Sequence, residues 1–73
     1  MSEEIDYTQH VIAAIDSYNI VVSHRSEANL TDDQTAELAR NERHLALKMQ
    51  EEGFVAALTT EQKANIEALN ISL

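Results

Sequence analysis

A chain of 73 residues carries one small core at most, and lies close to the size at which a single core stops offsetting conformational entropy unaided. Cysteine is absent, which excludes a disulfide framework and a thiolate metal site, and the 44% apolar fraction excludes a disordered chain despite the net charge of -8. With no proline and one glycine, Gly53, the turns of a β-sandwich or barrel are also excluded, so residues 1–73 are read as one all-α domain.

The first helix is predicted to start at Asp6, with Gln9 three residues on completing a capping box and Ile5 as the staple; Ser2 is a rival cap. At helical spacing Tyr7, Val11, Ala14, Ile15, Tyr18 and Val22 share one broad face, with Ile12 and Val21 at its edges. Ile20 and Ala13 fall on the otherwise polar side. The run Tyr18-Asn19-Ile20-Val21-Val22 has strand propensity, but a lone strand has nothing to pair with, and the helix is expected to continue to about Ala28.

Leu30-Thr31-Asp32-Asp33-Gln34 then repeats the start signal, with apolar staple, threonine cap, acids in the first turn and glutamine at the third position. The second helix is predicted from Asp32 to about Glu52. Leu38, Ala39, Leu45, Ala46 and Met49 form its main apolar face, and Ala36, Leu47, Phe54 and Leu58 form a thinner stripe opposite. Gly53 either caps this helix or lies inside a longer one at a cost of about 1 kcal/mol. A third start, Leu58-Thr59-Thr60-Glu61-Gln62, opens a shorter helix from about Thr60 to Asn70, whose stripe Ile66, Leu69 and Leu73 suits packing on the first two. The expected architecture is a helical hairpin plus a shorter third helix, a small three-helix bundle that assembles into a homo-oligomer.

Chemical sites are few. His10, His24 and His44 are the groups suited to titrate near neutrality, but none stands in a ligand spacing: His10 and His24 are fourteen apart, and Glu42 and His44 are two apart, so no metal site is read. Asp6 and His10 have the spacing of an exposed helical ion pair, while His24 and Arg25 suit the negative end of the first helix. Glu42 sits amid the main apolar face of the second helix. It is either a buried charge opposite His10, His24 or Arg25, or a rim residue with a packed stem and a wet head. Ser17, Ser23, Ser26 and Ser72 lack a flanking glycine turn and no phosphate-cradling loop exists, so no catalytic residue and no cofactor are expected.

Charge bears on partners. Residues 1–39 hold eight acids against Arg25, residues 40–50 hold Arg40, Arg43 and Lys48 against Glu42, and residues 51–73 hold four acids against Lys63. Such a chain is repelled by nucleic acid and by anionic lipid. The terminus Met1-Ser2-Glu3-Glu4 is acidic where a secretory signal is basic, and no apolar run is long enough for a membrane span, so a cytoplasmic accessory protein is expected.

The function these features favour is non-enzymatic: a protein-protein interaction or assembly module that uses one apolar surface for its core and Ile20, Leu47, Phe54 and Leu58 to meet a protein partner or a copy of itself. The alternative is an acidic inhibitor that mimics nucleic acid, presenting Glu3, Glu4, Asp6, Asp16, Glu27, Asp32, Asp33 and Glu37 to a basic groove of a partner. A third reading is a pH- or metal-responsive element built on the histidines.

Overall fold

The computed structural model describes residues 6–71, and every regular element among them is helical: α1 (Thr8–Arg25), α2 (Asp32–Lys48), α3 (Glu52–Ala57) and α4 (Thr60–Glu67). None of these helices is long and apolar enough to cross a membrane.

Two of the helix starts are the predicted ones. The Thr31 side chain accepts from the Gln34 amide at 3.1 Å, while the Gln34 side chain accepts from the Thr31 amide at 2.9 Å; Thr59 and Gln62 repeat the exchange at 3.0 and 2.9 Å. Each capping box satisfies amides that the first helical turn leaves without a carbonyl. The start of α1 differs from the expected one. It begins at Thr8, and Asp6 accepts from the Thr8 amide at 2.9 Å in place of a box with Gln9. Hydrogen bonding by the Thr8 side chain, and after it by the Thr8 amide, holds the exposed Asp6 carboxyl below its ordinary value of 3.8. The staple assigned to Ile5 and the rival cap at Ser2 lie outside the described residues.

α1 and α2 form an antiparallel hairpin, because cross-helix bonds join His10 to Lys48, Ser17 to His44 and His24 to Glu37, with one number rising as the other falls. The core at their interface is Ala14, Val21 and Leu45, all fully buried, completed by Phe54 of α3, Leu58 and Ile66 of α4. Val11, Tyr18, Leu38, Met49 and Val55 pack around it, as do Leu69 and Ile71 from the end of the chain. Leu73, the last member of the expected α4 stripe, lies outside the described residues.

The second helix ends four residues earlier than expected and its continuation becomes a separate α3, giving four helices where three were predicted. Phe54 and Leu58 lie seven and eleven residues beyond Leu47, so an unbroken helix would point all three to the same outer side. A turn at Met49 and Gln50, followed by extended Glu51, re-aims Phe54 and Leu58 into the core. Their burial, at 0% and 9% exposure, is what the break obtains; Ala36 and Leu47 stay outside.

Gly53 therefore does not end a helix. It lies inside α3 where that helix crosses the start of α1, and a Cβ there would stand 2.6 Å from the Tyr7 hydroxyl and 2.8 Å from the ring carbon that bears it. The glycine lets the Tyr7 ring seat on α3. α4 stops at Glu67, short of the expected Asn70; Asn70 instead takes a left-handed conformation (φ 54), which asparagine tolerates better than most side chains.

Candidate functional site

The orientation of α1 determines what the molecule presents to other surfaces. Tyr7, His10, Ala14, Ser17, Val21 and His24 follow one another at alternating spacings of three and four, and these residues turn toward α2. Ala14, Ser17 and Val21 are buried, while Tyr7, His10 and His24 are half-buried. The core-facing side is thus rotated toward one edge of the broad apolar face read from the sequence. Small Ala14 and Ser17 at its centre permit close approach of α2.

Polar rungs accompany this seam. His10, Ser17 and His24 stand seven apart on α1, as do Glu37 and His44 on α2, so each set lines one side of its helix. Lys48 Nζ lies 2.8 Å from His10 Nδ1, and since an ammonium only donates, that ring nitrogen accepts and the imidazole proton sits on Nε2. Lys48 also reaches Glu51 at 3.4 Å, and the Tyr7 and His10 rings meet at a tilt with centroids 5.3 Å apart. Ser17 Oγ and His44 Nδ1 are 2.8 Å apart at the middle rung. At the last, His24 Nε2 donates to Glu37 at 2.7 Å, and the buried His24 Nδ1 has no partner among the described residues.

His24 and Arg25 stand in the last turn of α1 as expected, whereas His10 does not form the ion pair with Asp6 that their spacing suggested. The separation of fourteen between His10 and His24, unsuited to a metal pair, is two heptads and sets both on the α2 side. His10 bonds Lys48 across the hairpin, and His24 is held by Glu37. Among the described residues no cluster of three or more His, Asp or Glu side chains is arranged to hold a metal ion.

The middle rung is the one most open to measurement, because Ser17 is the buried polar residue among the described residues, at 5% exposure. Ser17→Ala should cost about 1–2 kcal/mol by leaving His44 Nδ1 unpaired, whereas Ser17→Ala combined with His44→Leu should cost less than the two single changes together by about 1 kcal/mol. Urea denaturation of the four proteins of that cycle measures the coupling. Additive effects would mean that the pair contributes nothing.

Arg25 closes the other side of the hairpin. Its Nε and Nη2 donate to Glu42 Oε2 at 3.0 and 2.6 Å, and its Nη1 donates to the Leu69 carbonyl at 2.7 Å, so one guanidinium joins α1, α2 and the end of α4. Glu42 is half-buried, with 28% of its side chain exposed, and is paired with Arg25.

Of the four residues expected on an interaction surface, Phe54 and Leu58 are core residues and cannot form one. Leu47 is 45% exposed and Ile20 is half-buried. The apolar surface that the sequence reading missed is on α1, where Ile12 is 50% and Val22 41% exposed and half-buried Ile15 lies between them, outside the set of residues packed on the core. These residues were assigned to the core face or its edge, and the rotation of α1 leaves them outside. A second feature is an open groove of about 500 Å³ between the end of α2 and the end of α4, lined by Leu45, Ala46, Met49, Gln50, Ile66, Glu67, Asn70 and Ile71. Its one charged lining residue is Glu67, and it holds no histidine or hydroxyl nucleophile.

Comparison with known protein families, with curated proteins and with solved structures returns no match to this chain.

Proposed function

We propose that the chain is a non-enzymatic assembly module that meets another protein surface through the outer face of α1. The observation that carries this reading is the way α1 is turned. It directs two histidines and a serine toward α2 beside Ala14 and Val21, and leaves Ile12 and Val22 exposed and Ile15 half-buried, where burial alone in an isolated chain favours covering these side chains.

The acidic-inhibitor reading draws less support, because several of the acids it needs are committed elsewhere. Glu37 is held by His24, Asp6 by the Thr8 amide, and Asp32 and Asp33 occupy the first turn of α2. Glu3 and Glu4 lie outside the described residues.

The test is absolute mass by light scattering behind size exclusion, over a tenfold concentration range and at two salt concentrations, for the chain alone and for the chain in an extract of the cells that make it. A heavier species that survives high salt in either setting, and that Ile12→Glu abolishes while far-UV helicity is kept, is the expected result. A complex that dissolves at high salt would favour the acidic inhibitor. A monomer in both settings would overturn the assembly reading.

A further inference from the structure

We propose that the occupant of the outer face of α1 is a second copy of this chain, paired in parallel along Ile12, Ile15, Asn19 and Val22; the proposal rests on the assembly reading and names its partner. Three observations carry it. The first is spacing. Ile12, Ile15, Asn19 and Val22 succeed one another by three, four and three residues, the alternation that lets two helices wind together along one seam, and this seam runs along the outer flank of α1 next to its core-packed side. All four are exposed or half-buried, and none of them belongs to the set packed on the core.

The second observation is Asn19, a polar residue in the middle of that seam and in its a position if Ile12 is the preceding a. In a parallel pair each a residue meets its own copy, so the two Asn19 amides satisfy one another, donor to carbonyl. In an antiparallel pair Asn19 faces Ile15 and its amide is buried without a partner. An unrelated helix would have to bring a matching polar group to this one point, whereas a second copy always does.

The third is charge. The chain as a whole carries -8, yet between Thr8 and Arg25 the single acid is Asp16 and the single fixed cation is Arg25. Val11 and Tyr18, on the flank opposite Asp16, are neutral and half-buried against the protomer's own core. Two copies can therefore meet along α1 with no like charges directly opposed between Thr8 and Arg25. The remaining repulsion is long-range, so added salt should strengthen this association, opposite in sign to the salt response of an acidic inhibitor on a basic groove.

Because the chain has no cysteine, single cysteines report the pairing directly. Ile12→Cys, Asn19→Cys and the control Leu47→Cys are oxidised under mild conditions at submillimolar protein, and the mass of the unmodified chain is followed by sedimentation. The expected result is a salt-strengthened dimer of the unmodified chain, disulfide formation at positions 12 and 19 at least tenfold faster than at 47, and tighter self-association of Asn19→Ile. Crosslinking at 12 no faster than at 47, or at 47 alone, overturns the proposal. So does an unmodified chain that stays monomeric. If a salt-resistant complex with another protein is then found and Ile12→Glu abolishes it, the assembly reading stands while the second copy is ruled out as its partner.

Discussion

Phe54→Ala is expected to cost about 3–5 kcal/mol and to lower the urea midpoint sharply. Phe54 is the largest fully buried side chain, and the break between α2 and α3 brings it into the core beside Ala14, Val21 and Leu45. A chain of 73 residues at the usual ~0.05–0.15 kcal/mol per residue has roughly 4–11 kcal/mol in total, so losing this ring removes from about a quarter of the stability to all of it. Leu47→Ala, seven residues earlier and 45% exposed, should change stability by less than about 0.5 kcal/mol. Urea titration followed by far-UV circular dichroism separates the two. If Phe54→Ala cost under about 1 kcal/mol, α2 would have to run on unbroken with Phe54 outside, as the alternating stripe of the sequence suggested. The same contrast rules out Phe54 as a probe of assembly: charge there would unfold the protein before it reached an interface.

Features that depend on a few adjacent residues were legible in the sequence. Both threonine capping boxes are specified within four residues each, and both helices begin where threonine and glutamine place them. The helical class likewise followed from composition, since a chain with no proline and one glycine has few ways to turn a strand. The broad apolar face of α1 was legible but its exact facing was not, because Ile15 and Val22 outweigh Ser17 on any hydrophobic count. What turns the helix is the fit of small Ala14 and Ser17 against α2, together with rungs whose partners are 13 to 38 residues away. The seven-residue spacing of His10, Ser17 and His24 was present in the sequence as a signal. It becomes informative only once Glu37 and His44 are recognised as the facing set. The break at Met49 has no local cause of this kind: Met49, Gln50 and Glu51 are all good helix formers, and the burial of Phe54 and Leu58 outweighs their propensity.

Ile66→Ala is expected to release α4 without unfolding the hairpin. Ile66 is the one buried residue of α4, at 3% exposure, and the helix spans eight residues, well short of the ~12–15 at which an isolated helix becomes even marginally stable in water. Removing its side chain should cost about 2–5 kcal/mol if the whole molecule had to bear the loss. The attachment of α4 offers a less costly route. Apart from Ile66 it is held by half-buried Leu69 and Ile71 and by the Arg25 bond to the Leu69 carbonyl, and an open groove separates its end from Met49 and Gln50. Once the free energy of opening α4 falls below that of global unfolding, the variant relieves itself by local opening. Native-state hydrogen exchange should therefore show the amides of Lys63 to Ala68 losing protection in Ile66→Ala, while those of Ala14, Val21 and Leu45 keep most of theirs. Uniform loss across all four helices would instead mean that α4 and the hairpin fold as one unit. On the proposed assembly through the outer face of α1, Ile66→Ala should associate to the same extent as the unmodified chain, because that face depends on the α1–α2 seam and not on α4.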